Sequence, residues 1–150
     1  MIKIGIDVGS TTAKLVAVDE NDNLLFSKYE RHNAKAKETI LSFLKELLSE
    51  IGDKDISVRI TGSIGMGISE KCSLPFVQEV VAAAKAIQKD YSHVTSMIDI
   101  GGEDAKVVFF KDAEATDLRM NGNCAGGTGA FIDQMAIILG VNIDELNQLA

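Results

Sequence analysis

The feature that most constrains the fold of this chain is a segment that occurs twice. Residues 6–16 read Ile-Asp-Val-Gly-Ser-Thr-Thr-Ala-Lys-Leu-Val, and residues 98–108 read Ile-Asp-Ile-Gly-Gly-Glu-Asp-Ala-Lys-Val-Val. Identical residues align without a gap: Asp7 with Asp99, Gly9 with Gly101, Ala13 with Ala105, Lys14 with Lys106 and Val16 with Val108. Chance turns do not usually share both residue types and register, so the pattern indicates an internal duplication and not a short-period repeat.

Each copy predicts two strands joined by a tight turn and followed by a third strand. Ile2, Ile4 and Ile6 alternate with polar or small residues, which is the period of a strand. Third strands are predicted over 24–30 and 115–120, so each copy should form an antiparallel meander. The remaining predicted elements are helices over 35–51 and 75–89, a strand over 56–61, and a last helix that stops at Gly140. The predicted class is α/β, a duplicated meander sheet with flanking helices.

The first turn has the composition of a phosphate and cation site. Asp7 stands at the strand end, followed by Gly9, Ser10, Thr11 and Thr12. A glycine allows the backbone to approach closely, consecutive N–H groups and hydroxyls bond phosphate oxygens, and a carboxylate can hold a metal-bound water. An ordinary hairpin turn is the alternative, and the existence of a second copy weakens it.

Two copies of such a turn imply two domains that face each other across a cleft. We place the first domain at residues 1–93 and the beginning of the second, incomplete domain at residues 94–150. A nucleoside triphosphate with its divalent cation suits this cleft. Backbone N–H groups would face it from both sides, and Asp7 and Asp99 would orient metal-bound waters.

Other residues have a functional and a structural interpretation. The glycine-rich segment 62–67 is either a second ligand loop or, more simply, a strand-to-helix link. Glu79 is interpreted as a carboxylate favoured by a helix N-terminus instead of a catalytic group. His32 and His93 have no His or Cys partner at ligand spacing, so both are expected at the surface.

Cys124 lies in the glycine-rich segment 120–131, at or just before the start of the last apolar helix. A helix N-terminus favours the thiolate, the form of cysteine that binds iron or acts as a nucleophile. On chemistry alone, a buried or idle cysteine is the alternative.

Composition excludes several classes of function. The formal net charge is −7 and the basic residues are not clustered, which argues against nucleic acid as a partner. No apolar run approaches the roughly 20 residues of a membrane span. The first residues read as a strand and not as a signal peptide. We therefore expect a cytoplasmic protein with no membrane contact, whose 2 cysteines are free thiols or metal ligands.

The paired turns resemble the phosphate-1 and phosphate-2 motifs of the actin, Hsp70 and sugar-kinase superfamily, which has a ribonuclease H-like fold. The resemblance implies ATP or ADP with Mg²⁺ as cofactor, and it gives Asp7 and Asp99 the roles of holding Mg²⁺-bound waters. It implies phosphate contacts at two sets of residues: Gly9, Ser10, Thr11 and Thr12, and Gly101 and Gly102. Lys14 either binds phosphate, as a lysine does in the actin branch, or is a solvated strand residue.

Three motifs together resemble a narrower family, the activator ATPases of 2-hydroxyacyl-CoA dehydratases and benzoyl-CoA reductases. They are residues 5–14, residues 98–106 and the cysteine segment 120–131. The resemblance implies a homodimer that shares one [4Fe-4S] cluster, with Cys124 as one of the two cysteine ligands from each subunit. It also implies that ATP hydrolysis drives a low-potential electron to a dehydratase or reductase partner.

The chain departs from that family at several points. Residues 61–65 read Thr-Gly-Ser-Ile-Gly where the family has Thr-Gly-Tyr-Gly-Arg, and Glu103 replaces the more usual Gln. A second cluster cysteine and the adenine-binding part are not found, and Cys72 does not match that cysteine, so we expect it to be a structural core thiol. We therefore expect a fragment with a truncated second domain. Alone, it should bind ATP weakly or not at all, and it should assemble no stable cluster.

Two other functions stay open on the sequence. One is a small-molecule kinase of the same superfamily, acting on a sugar, an acyl group or N-acetylglucosamine. The other is a non-enzymatic, nucleotide-dependent scaffold. A cluster that depends on Cys124 would distinguish the activator from both.

Overall fold

The computed structural model describes residues 1–112, 114–121 and 127–150. The elements in chain order are β1 (Ile2–Val8), β2 (Thr12–Val18), β3 (Leu24–Arg31), α1 (Ala36–Ile51), β4 (Ile56–Thr61), α2 (Gly65–Cys72), α3 (Glu79–Asp90), β5 (Ser96–Ile100), β6 (Ala105–Lys111), β7 (Glu114–Met120), α4 (Gly129–Leu139) and α5 (Ile143–Leu149). The chain divides into two compact units, Met1–Ala82 and Ala83–Ala150, and the division falls inside α3. The domain boundary predicted at 93/94 stays a prediction.

The first unit is built on a four-stranded sheet in the order β3-β2-β1-β4. β1, β2 and β3 form the predicted antiparallel meander, because their connections are short. β4 is parallel to β1, and the chain reaches it through α1, as a parallel neighbour requires a long crossover. β1 thus lies inside the sheet, hydrogen-bonded to β2 on one side and to β4 on the other. The turn that follows β1 therefore starts from a strand with two paired neighbours.

The core of the first unit lies between one face of this sheet and α1. Its buried side chains come from alternate strand positions and one helix face: Ile2, Ile4, Ile6, Val8, Ala13, Leu15, Ala17, Phe26, Ile40, Phe43, Leu47, Ile51 and Ile60. The predicted apolar stripe of α1 is wider than the face that contacts the sheet, so Leu41 and Leu48 are exposed. α1 stops before Gly52, whose φ is +64°, as predicted for a glycine cap.

The segment after β4 differs from the sequence prediction. Pro75 does not begin a helix, because residues 75–77 run along β4: Ile60 N–H donates to Pro75 O, and Val77 N–H donates to Ile60 O. α3 begins only at Glu79. Cys72, the last residue of α2, is exposed, so the prediction of a core thiol is wrong.

The second unit repeats the meander as a three-stranded antiparallel sheet in the order β5-β6-β7. Val108, Phe110 and Ala136 are buried within it. α4 ends at Leu139, before Gly140 with φ +68°, as predicted. α5 begins with a capping box formed by Asn142 and Glu145. In the part of the chain that is described, no helix has the length and apolar character needed to cross a membrane.

Candidate functional site

The first candidate turn connects β1 to β2 and is closed by a single backbone bond. Gly9 N–H donates to Thr12 O at 3.0 Å, and the flanking register pairs Asp7 with Lys14. Ser10 and Thr11 are partly exposed, and their N–H groups have no hydrogen-bond partner among the described residues. The turn therefore presents two consecutive free backbone donors.

The second candidate turn, in the other unit, has the same construction. Gly101 N–H donates to Asp104 O at 2.8 Å, and Asp99 pairs with Lys106 across the hairpin. The N–H groups of Gly102 and Glu103 have no partner within the described ranges. The duplication thus preserves register, closing bond and free donors, although only some side chains are shared.

Asp7 and Lys14 form an ion pair beside the first turn. Lys14 Nζ donates to Asp7 Oδ2 at 2.8 Å and lies 5.6 Å from the centre of the Tyr29 ring. Partial burial lowers the pKa of Lys14, but the hydrogen bond and charge of Asp7, with weaker attraction to Tyr29 and Glu79, raise that pKa overall. The Lys14 ammonium group is therefore held beside the turn by Asp7, although 46% of its side chain is exposed.

Two buried oxygens at this place have no partner in the described structure. They are Asp7 Oδ1 and Thr61 Oγ1, and Asp7 and Thr61 are neighbours in the parallel register of β1 and β4. With Lys14 they line a cavity of about 290 Å³ whose other walls are mostly apolar. Unpaired carboxylate and hydroxyl oxygens are hard donors, which suit a hydrated divalent cation.

Gly62 packs against the carboxylate of Asp7. Its φ is +91°, and a Cβ atom there would lie 2.3 Å from Val8 O and 2.6 Å from Asp7 Oδ1. Ile64 N–H also donates to Val8 O, at 2.9 Å. The glycine-rich segment 62–67 is therefore a strand-to-helix link, the simpler of its two interpretations, and it also supports the end of β1.

In the second unit the lysine has a different partner. Lys106 is buried, and its Nζ lies 2.8 Å from Asp104 Oδ2. The other oxygen of Asp104 lies over the turn, so a Cβ atom on Gly101 would be 2.3 Å from it. Asp99 stays partly exposed. A side chain at Gly101 would therefore displace the Asp104 carboxylate, which pairs with Lys106.

The carbonyl groups of both turns are held by donors that the sequence prediction did not include. α4 supplies them in the second unit: Gly129 N–H donates to Gly101 O at 2.8 Å, and Ala130 N–H donates to Gly102 O at 3.0 Å. A Cβ atom on Gly129 would lie 3.0 Å from Gly101 O. The glycine that begins α4 therefore allows this close approach.

His32 supplies the donors in the first unit. Its Nε2 lies 3.1 Å from Gly9 O, and its backbone N–H donates to Thr11 O at 3.2 Å. The side chain is only 3% exposed, so the prediction of a surface histidine is wrong. His93 is exposed, as predicted.

The predicted cluster ligand, Cys124, lies outside the described residues. Within residues 1–112, 114–121 and 127–150, no group of three or more His, Cys, Asp or Glu side chains could hold a metal ion. Asp7 Oδ1 and Thr61 Oγ1 are the unpartnered buried oxygens beside the first turn.

Comparison with known proteins adds an independent finding. The model of the BadF/BadG/BcrA/BcrD ATPase family matches residues 4–150. The (R)-2-hydroxyglutaryl-CoA dehydratase activating ATPase of Acidaminococcus fermentans is 28% identical over 148 residues, which are 97% of this chain and 56% of that protein.

Solved structures of dehydratase activators share the fold. Component A of the (R)-2-hydroxyglutaryl-CoA dehydratase of A. fermentans matches with a TM-score of 0.85 at 28% identity, over 99% of this chain and 58% of that one. The activator of the 2-hydroxyisocaproyl-CoA dehydratase from Clostridium difficile, with bound ADPNP, matches with a TM-score of 0.83 at 30% identity, over 97% and 55%. The predicted fold class is confirmed, and the chain spans a little over half the length of these relatives.

Proposed function

Because the chain belongs to the BadF/BadG/BcrA/BcrD ATPase family, we propose that its two hairpin turns bind the phosphates of ATP. The observation that carries the proposal is the common construction of the turns. Each places an aspartate opposite a lysine and leaves two consecutive N–H groups free. Free, adjacent N–H groups are the usual backbone ligands of phosphate oxygens.

Within this proposal, the N–H groups of Ser10, Thr11, Gly102 and Glu103 are the backbone donors, and Gly9 and Gly101 shape the turns. The hydroxyls of Ser10, Thr11 and Thr12 add side-chain donors to the first turn. Gly9 has a further reason to be glycine. A Cβ atom there would meet nothing closer than Thr12 O at 3.7 Å, so the chain itself tolerates a side chain, and the phosphate is what would exclude it.

Asp7 and Asp99 are proposed to orient waters bound to Mg²⁺. The unpaired oxygens of Asp7 and Thr61 support this for the first unit. When bound, Mg²⁺ would neutralise charge on the phosphate oxygens during transfer to water. Lys14 would then shift its hydrogen bond from Asp7 to a phosphate oxygen, because the Mg²⁺-bound water and the lysine compete for the Asp7 carboxylate.

We further propose that ATP hydrolysis drives electron transfer to a partner enzyme. The relatives are named as activators of acyl-CoA dehydratases, so a dehydratase or reductase is the proposed partner, with a homodimer as the active form. Cys124 is proposed to ligate a [4Fe-4S] cluster, which would supply a low-potential electron. The α4 helix that follows Cys124 is bonded to the second turn through Gly129, which supports a link between that turn and the cysteine.

Mg²⁺-dependent ATP hydrolysis by the whole protein that contains this chain tests the nucleotide role. Asp7→Asn and Asp99→Asn should each lower the rate by about 10²-fold, the loss typical of one preorganised electrostatic group. Asp53→Asn, in an exposed loop, is the matched control and should leave the rate unchanged. Equal rates in all four proteins would refute the assignment.

The cluster role has its own test. Anaerobic reconstitution of the whole protein that contains this chain, with iron and sulfide, should give a brown protein whose iron content is lost in Cys124→Ala, while ATP hydrolysis persists. Cys72→Ala is the matched control and should keep its iron. The family match does not favour the kinase alternative, which would require ATP-dependent phosphorylation of a small molecule with no effect of Cys124→Ala.

A further inference from the structure

The first turn has a buried histidine behind it that the nucleotide role does not use. His32 is the first residue after β3, and the antiparallel register of β2 and β3 brings it next to Thr11. The side chain is almost fully buried. Among the described residues, the imidazole makes one hydrogen bond, from Nε2 to Gly9 O in the turn. Its second nitrogen, Nδ1, has no partner there.

The contact with Gly9 requires a proton on Nε2 of His32. A carbonyl oxygen only accepts hydrogen bonds, so at 3.1 Å from Gly9 O the Nε2 atom must carry the proton. The Nδ1 atom is then left inside the protein with no hydrogen-bond partner among the described residues. A leucine at this position would avoid that cost, so the useful feature of His32 is its Nε2–H donor.

The direction of the donor matters because a peptide group is planar and trans. The Gly9 carbonyl and the Ser10 N–H belong to one peptide group and point in opposite directions. A donor that holds Gly9 O from behind therefore turns the Ser10 N–H outward. The second bond, from the His32 backbone to Thr11 O, holds the other end of the turn in the same way.

The second unit provides an independent comparison. Gly101 O is the equivalent of Gly9 O, and it is also held from behind, by Gly129 N–H at 2.8 Å. An imidazole in one copy and a helix amide in the other thus make the same bond to the same carbonyl. Chemically different donors at equivalent atoms indicate that the turn itself requires the bond.

We propose that His32 is a positioning residue for phosphate binding, whose Nε2–H fixes the Gly9 carbonyl so that the Ser10 N–H faces the phosphate. The inference rests on the proposed nucleotide-binding function. It adds a role for a residue outside the turn, and it predicts that phosphate affinity depends on where the side chain places its donor.

The test compares two amide substitutions in the whole protein that contains this chain. In His32→Gln the Nε2 donor is as many bonds from the backbone as in histidine, whereas in His32→Asn it is one bond shorter. Affinity for Mg²⁺-ADPNP should fall about tenfold in His32→Asn, as for one lost hydrogen bond, and stay within about threefold in His32→Gln. His93→Gln, in an exposed loop, is the control.

Two further readouts separate positioning from general damage. Adenosine, which has no phosphate, should bind equally to all four proteins. In the wild type, ¹⁵N spectra of labelled histidine should show a proton on Nε2 of His32, a result that does not depend on any variant folding.

Each outcome decides between the two proposals. If the wild type binds no Mg²⁺-ADPNP, the nucleotide role fails. If the wild type binds it and His32→Asn binds equally well, or if the spectra show no proton on Nε2, the positioning role fails.

Discussion

Gly62→Ala is the substitution for which the structure makes the strongest stability prediction. Gly62 has φ +91°, and an added Cβ atom would lie 2.3 Å from Val8 O, 2.5 Å from Val8 C and 2.6 Å from Asp7 Oδ1. Two of these atoms belong to the backbone of a strand inside the sheet, so they cannot rotate away. The end of β1, with the carboxylate of Asp7, would have to move.

The expected loss of unfolding free energy in Gly62→Ala has two sources. A positive φ in a residue with a side chain costs about 1–3 kcal/mol, and overpacking at a rigid place costs about 1–3 kcal/mol more. The unfolding free energy should therefore fall by about 2–6 kcal/mol, a large part of the total of about 5–15 kcal/mol for a typical domain.

Two other glycines separate the two sources. Gly52 has φ +64° but nothing within 4 Å of an added Cβ atom, so Gly52→Ala should cost only the conformational part, about 1–3 kcal/mol. Gly67 lies in α2 and also has free space. Gly67→Ala should be stabilising by about 0.5–1 kcal/mol, since alanine favours helix.

The assay is urea unfolding of the 150-residue chain, followed by far-UV circular dichroism because the sequence has no tryptophan. The order of midpoints should be Gly67→Ala, wild type, Gly52→Ala and Gly62→Ala. A Gly62→Ala protein as stable as Gly52→Ala would show that the Val8 carbonyl and the Asp7 carboxylate do not pack against this glycine, and the reasoning about the site would fail with it.

Three further predictions concern the core, the exposed thiol and the ion pair. Phe43→Ala should lower the unfolding free energy by about 3–5 kcal/mol, whereas exposed Leu48→Ala should change it by less than about 1 kcal/mol, as urea midpoints would show. Iodoacetamide should alkylate Cys72 in the native chain, at a site found by peptide mass and absent from Cys72→Ser; no labelling before unfolding would contradict its exposure. Because folding raises the pKa of Lys14, the lysine should contribute its full stabilisation below the ordinary lysine pKa near 10.5. This contribution should be lost as the pH rises through the pKa of the folded state. A Lys14→Met protein that loses as much stability at alkaline pH as the wild type would contradict this.

Much of the fold could be predicted because the two meanders carry strong local patterns. Alternating isoleucines mark β1, and the aligned motif at residues 98–108 transfers the same register to β5 and β6. The bounds of β4 are those predicted, and α1 begins one residue later than predicted. Local periodicity and turn composition suffice where one face of each element is buried.

The failures come from contacts between distant residues. Pro75 has the usual preference for the first turn of a helix, but here backbone bonds with Ile60 extend the chain along β4. These bonds are tertiary interactions, which the helix propensity of the local sequence cannot predict. Cys72 lies on the exposed side of a short helix, which its sequence neighbours do not reveal.

His32 is the instructive failure at the site. Ligand spacing asks which residues are near a histidine in sequence, whereas His32 contacts a turn more than 20 residues before it. The signal that could have found it is positional: a third meander strand ends beside the turn that joins the first two, so the residue after β3 belongs to the site.

The central claim is that these hairpin turns hold the phosphates of a Mg²⁺-nucleotide, and calorimetric titration with ADPNP tests it most directly. The whole protein containing this chain should bind ADPNP with Mg²⁺ and much more weakly with EDTA. Gly9→Ala should bind at least about tenfold more weakly, although its unfolding free energy should stay within about 1 kcal/mol of wild type. Binding that is indifferent to both Mg²⁺ and Gly9→Ala would contradict the claim.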